Sequence, residues 1–153
     1  MKAVIQRVLQ AQVTINGAVY SKIGRGYLLL VGIEKGDTEA IVRKMAEKTV
    51  ELRICDDGNG KMNLSLKDIR GEALIVSQFT LLADCRKGRR PGFSDAALPE
   101  TAKELYEYYC SQIRESGIKV STGVFQADMK VALVNDGPVT IILDSKEVCR
   151  DGK

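Results

Sequence analysis

The chain has 153 residues, 44% apolar and 28% charged, with a net charge of +3, a balance that suits one domain, 1–153, with a single sizeable core. So small a charge excludes a bulk polycation, and any nucleic-acid partner must be met by a local patch. There is no histidine, which removes Ser-His-Asp and Cys-His activation, imidazole bases and most catalytic zinc sites together.

Residues 3–15 alternate loosely as a first strand. Lys2, Gln6, Arg7 and Gln10 break the continuous apolar centre that a signal peptide needs. Asn16-Gly17 is a strong hairpin signal and leads into a strand at 18–23. A third strand follows at 27–33, far short of the roughly 20 apolar residues that cross a bilayer. No membrane partner and a cytoplasmic location are expected. Over 37–54 the period changes, with Ile41 or Val42, Met45, Thr49 and Leu52 at helical steps behind an Asp37 N-cap.

Asp56-Asp57-Gly58-Asn59-Gly60-Lys61 reads as a turn. A calcium loop from Asp57 would need glycine where Met62 stands, and a P-loop needs a different spacing before its lysine. Residues 73–82 form the next predicted strand. Pro99-Glu100 then opens a second helix whose buried stripe is Ala102, Leu105, Tyr106, Tyr109 and Ile113, with Gly117 ending it. Strands at 118–125, 129–134 and 139–143 close the pattern, the last two joined by an Asn135-Asp136-Gly137-Pro138 turn. The tail, about 145–153, is charge-balanced and expected to be loosely held. The fold class is mixed α/β (α+β), strand-rich and mostly antiparallel, with two main helices packed on one side. Cys55, Cys85, Cys110 and Cys149 form no C-x-x-C pair, so reduced thiols, no metal site and no cofactor are expected.

Two stretches carry chemistry. If 73–82 is one strand, Gln78 and Thr80 share a face while Ser77, Phe79 and Leu81 share the other. Taken alone, that is a half-exposed strand. Arg86, Lys87, Arg89 and Arg90 follow at once, kept out of regular structure by Gly88 and Pro91-Gly92, and a cationic loop of this kind can bind phosphates. In the 135–138 turn, local sequence gives no reason to expect a cis Gly-Pro bond, whose baseline is about 5–6%. Its carbonyls are nevertheless free of the strand ladder and available to a ligand.

Taken together, Ser77-Gln78-Phe79-Thr80-Leu81 and Asn135-Asp136-Gly137-Pro138-Val139-Thr140 closely resemble the signature pair of the D-aminoacyl-tRNA deacylases, formerly called D-tyrosyl-tRNA deacylases. The likeness extends over Arg7-Val8, Ala11-Val13, Gly17, 26–33, 87–93 and 122–129. It implies that family's fold and a homodimeric hydrolase that cleaves the ester of D-aminoacyl-tRNA, and of glycyl-tRNA, at the terminal adenosine. It further implies that Ser77, Gln78, Phe79 and Thr80 line the catalytic pocket, with N–H groups near Phe79 and Thr80 facing the oxyanion. Gly137-Pro138 would be a cis dipeptide inserted into the partner's pocket, its carbonyls holding the substrate's amino group, with Arg7 orienting it. Phe125 and Met129 would surround the terminal adenine, and Arg86, Lys87, Arg89 and Arg90 would grip the tRNA.

On that scheme an L side chain collides with backbone while a D side chain does not. Thr80 is the obvious nucleophile, but nothing in its motif supplies a base. Hydrolysis assisted by the ribose 2′-hydroxyl is therefore the favoured expectation. Gln126 stands where the family usually has a small residue, and Gly92 where serine is common, which affects pocket detail and tRNA grip rather than the reaction. The rival readings are a non-catalytic module that binds tRNA ends, and a structural oligomer with an incidental basic loop.

Overall fold

Residues 1–150 are described by the computed structural model. In chain order the elements are β1 (Lys2–Ile15), β2 (Ala18–Ile23), β3 (Gly26–Gly32), α1 (Glu39–Glu51), β4 (Cys55–Asp56), β5 (Met62–Leu64) and β6 (Glu72–Ser77). A 3₁₀ turn (Phe79–Leu82), α2 (Pro99–Glu115), β7 (Lys119–Thr122), β8 (Lys130–Asp144) and α3 (Ser145–Val148) complete it. Asn16 and Gly17 both take positive φ, 50° and 78°, as the tight turn between β1 and β2 requires and as Asn-Gly readily allows.

The long β1 organises a six-stranded sheet. Its first half pairs antiparallel with β3 and its second half with β2, while β8 runs antiparallel beside nearly all of it. β3 and β6 pair in parallel, and so do β6 and β7. The pairing is mostly antiparallel, as the sequence led one to expect, and these two pairs are its parallel part. Their cause is visible in the element order: a helix lies between the members of each pair, and a parallel neighbour needs such a crossover.

Both main helices cover one face of the sheet. Val42 and Met45 of α1 with Leu105, Tyr109 and Ile113 of α2 bury Ala3, Ile5, Leu29 and Ile75. On the opposite face Val8, Ala11, Val13, Leu28 and Leu74 form a second, smaller core. β1 serves both cores because its pairing with β8 shifts register on either side of Val8, and an irregularity of one residue reverses which side chains point where. Between the helices, the Thr49 hydroxyl donates to Met45 O at 2.8 Å and accepts from the Tyr109 hydroxyl at 2.8 Å. All of this is buried.

Several expectations need correction. The strand predicted over 73–82 stops at Ser77 and the chain winds into the 3₁₀ turn, so the strand alternation of Gln78, Phe79, Thr80 and Leu81 does not exist. α1 is capped by Thr38, whose side chain accepts from Ile41 N. Asp37 instead accepts from the Met1 ammonium at 2.8 Å and from Glu34 N at 2.7 Å. The strands placed at 129–134 and 139–143 are one strand, β8, and residues 135–139 are an irregularity within it. The segment from 145 is not loose: α3 follows β8 directly, and buried Ser145 accepts from the Met1 ammonium at 2.8 Å. Residues 151–153 of that expected tail lie outside the described residues. Among the described residues, no helix is long and apolar enough to cross a membrane.

Candidate active site

At the end of β6, Gln78 N donates to Val31 O at 2.7 Å and the backbone then curls into Phe79–Leu82. The turn sits directly on Gly32, where an added Cβ would lie 2.5 Å from Leu82 Cδ2 and 2.9 Å from Gln78 O. Glycine is needed there for close approach. Phe79 and Thr80 begin the turn, so their N–H groups have no partner within it, and no backbone carbonyl among the described residues accepts from them. Among the described residues both donors are unpaired and lie on exposed residues.

Beside this turn opens a cavity of about 780 Å³, lined by Ser77, Gln78, Phe79, Phe125, Gln126 and Met129 among others. It lies at the carboxyl ends of the parallel strands β3 and β6, where open α/β sheets characteristically bind ligands. Its aromatic content is high. Phe79 meets Phe93 edge-on at 5.0 Å, and Tyr106 lies 6.1 Å from Phe125. Tyr106 also donates to Ile75 O at 2.6 Å, which fixes α2 against β6 below the cavity. Thr80 is exposed and outside the cavity lining. Its hydroxyl accepts a hydrogen bond from the Gln78 side-chain amide, a donor that cannot withdraw the hydroxyl proton.

The second signature lies elsewhere. Gly137-Pro138 is a cis dipeptide with Gly137 at φ 132°, and both residues are exposed. Neither they nor Arg7 line this chain's own cavity. Arg7, 6% exposed, donates from Nε to Asp136 O at 3.0 Å and from Nη1 to Ile54 O at 2.8 Å and Asp56 Oδ1 at 3.1 Å. Asn135 clamps the base of the irregularity, its amide donating to Arg7 O and Val139 O at 3.0 Å each. The dipeptide is thus held rigidly and presented outward.

Asp84 and Gly92 exchange backbone hydrogen bonds at 2.7 and 2.9 Å, closing the basic loop at its neck. Arg86 is exposed but paired: its guanidinium lies side-on to the Asp84 carboxylate, with two contacts of 2.8 Å. Those hydrogen bonds hold the Asp84 carboxyl down at about 2. Lys87, Arg89 and Arg90 are exposed too, and no carboxylate among the described residues is seen paired with them.

Of the residues expected from the sequence, Ser77, Gln78, Phe79, Phe125 and Met129 line one cavity, Thr80 does not, and Arg7 lies beside the Gly137-Pro138 dipeptide. The sequence did not point to Asp56 as a partner of Arg7, to Tyr106 beneath the cavity, or to Asp84 as the partner of Arg86. Only the last had a local signal, an acid two residues before a base at the start of a loop. Gln126, at φ 66°, also acquires a physical reading: the left-handed region favours glycine or another small residue at that position.

A family model described as D-Tyr-tRNA(Tyr) deacylase matches residues 4–144, which makes the chain a hydrolase acting on aminoacyl-tRNA. The D-aminoacyl-tRNA deacylase of Thermosipho melanesiensis is 58% identical over 149 residues, covering 97% of this chain and 99% of the relative. That of Geobacter sulfurreducens is 58% identical over 146 residues, covering 95% and 96%. A solved structure described as a c-Myc DNA unwinding element binding protein superposes with a TM-score of 0.89 at 41% identity, covering 94% and 98%. Another, described as a probable eukaryotic D-amino acid tRNA deacylase, has a TM-score of 0.80 at 18% identity, covering 93% and 97%, and supports the fold alone. The chain belongs to the D-aminoacyl-tRNA deacylase family, whose reaction is hydrolysis of D-aminoacyl-tRNA.

Proposed function

We propose that residues 1–153 act as one cytoplasmic deacylase domain that works as a homodimer, releasing D-amino acids, and glycine, from the terminal adenosine of tRNA. The observation that carries the dimer is the separation of the two signatures: Gly137-Pro138 is exposed and absent from its own chain's cavity. Inserted into a partner, its carbonyls accept from the substrate ammonium while the N–H groups of Phe79 and Thr80 face the ester carbonyl. With both ends of the amino acid fixed by main chain, an L side chain is driven into backbone and a D side chain or hydrogen is not.

Water adds to the ester carbonyl as the vicinal 2′-hydroxyl relays its proton. The oxyanion is stabilised by the two backbone donors. Collapse breaks the acyl–oxygen bond, the ribose oxygen takes the proton, and free amino acid and tRNA leave. Phe125 and Met129 enclose the terminal adenine, with Ser77 and Gln78 forming the cavity floor. Lys87, Arg89 and Arg90 meet phosphates of the single-stranded acceptor end, and Arg86 orders their loop.

The test compares release of D-tyrosine, L-tyrosine and glycine from their tRNAs, with and without EDTA. Release of D-tyrosine and glycine, little L-tyrosine and no effect of EDTA are expected. Binding of D-aminoacyl-tRNA with no release of amino acid would overturn the enzyme in favour of a tRNA-end binding module.

A further inference from the structure

We propose that Asp56 is a positioning residue that sets the Gly137-Pro138 dipeptide through Arg7, an inference resting on the reading that this dipeptide meets substrate. The Arg7 guanidinium is clasped on two edges by two different elements. On one edge, Nη1 donates to Ile54 O at 2.8 Å and to Asp56 Oδ1 at 3.1 Å, both at the root of the β4–β5 hairpin. On the other, Nε donates to Asp136 O at 3.0 Å and lies 3.4 Å from the Asp136 carboxylate. Nη2 packs against Gly137, 3.1 Å from where a Cβ would stand. A guanidinium is a planar fork with fixed donor directions, so holding one edge fixes what the other edge holds. Asp56 therefore anchors the plane from which Asp136 and the next two residues are placed.

The two carboxylates pull on one cation from opposite sides. Without the Asp56 charge, Ile54 O still accepts on that edge, but Asp136 is the remaining carboxylate partner, and the fork tilts towards it and carries Gly137 along. Asp56 is itself 49% exposed, and without it the buried guanidinium keeps the Asp136 carboxylate as counter-ion, so no uncompensated buried charge is left. The effect of Asp56 here is geometric. The substitution that removes it is expected to leave thermal stability nearly intact and to change how well the enzyme separates D from L substrates.

The experiment measures kcat and KM for D- and L-tyrosyl-tRNA with the wild type, Asp56→Asn and Asp56→Glu. Asp56→Asn should lower the D-over-L preference about tenfold, as expected for a small displacement of a positioning group, through kcat rather than KM. Asp56→Glu, which keeps the charge, should restore most of it. A merely structural role would lower both activities together and leave their ratio unchanged. A second measurement does not need turnover: the Gly137 amide resonance should shift, and the Arg7 Nε proton should exchange faster, in Asp56→Asn. An unchanged D-over-L ratio in an active Asp56→Asn enzyme overturns the inference. Unchanged Gly137 and Arg7 signals overturn it as well. Wild-type protein that releases no D-tyrosine sinks the deacylase reading instead, and the resonance arm then decides the role of Asp56 by itself.

Discussion

Thr80 shows how a single contact changes a residue's role. In the sequence it is a hydroxyl in a catalytic motif; in the fold its hydroxyl accepts from the Gln78 amide and lies outside the cavity lining. Thr80→Ala should therefore keep deacylation within about tenfold of wild type in single-turnover assays, since it removes no base and leaves the backbone N–H in place. A loss of several orders of magnitude would restore the covalent mechanism. Asp84 is the residue that sets the loop's charge. Its carboxyl is held down at about 2, so the stabilising pair with Arg86 is complete above the ordinary carboxylate range and is lost only as pH falls through about 2. Loop-dependent RNA affinity should be flat across neutral pH, and Asp84→Asn should tighten it by freeing Arg86, as a filter-binding titration would show.

At the scale of elements, α1 and α2 are joined by a chain of donors from Tyr109 to Thr49 to Met45. Thr49→Val leaves the buried Tyr109 hydroxyl without its acceptor and should cost about 1–3 kcal/mol in urea denaturation, whereas Tyr109→Phe removes a donor and should cost about 1 kcal/mol. The two helices were legible from the sequence because their apolar residues recur with helical period, and the β1–β2 hairpin because Asn-Gly admits positive φ. The 3₁₀ turn after Ser77 was not legible: Phe79, Thr80, Leu81 and Leu82 are good strand formers, and what ends the strand is the packing of Leu82 on Gly32, a tertiary contact. β8 looked like two strands for the opposite reason, since Asp136, Gly137 and Pro138 suit a turn while the pairing with β1 on both sides keeps them within one strand. The candidate site was legible as two motifs. Arg7 as their link to β4 was not, because its partners Ile54, Asp56 and Asp136 stand 47 residues or more away.

For the whole molecule, the proposed function rests RNA affinity on the closed basic loop rather than on the overall charge of +3. Replacing Lys87, Arg89 and Arg90 together by alanine should flatten the slope of log affinity against log salt by about 2, given roughly 0.7 per phosphate contact on single-stranded ends. An unchanged slope would place the tRNA on another surface. The outward presentation of Gly137-Pro138 has a consequence in genetics as much as in chemistry. In the proposed symmetric dimer each catalytic centre is assembled from two polypeptides, so a lesion in the cavity and a lesion in the dipeptide damage different halves of it. Two inactive proteins, one altered at Phe79 and one at Pro138, should complement when refolded together. Random pairing would leave about a quarter of the centres whole, whereas either protein alone would have none.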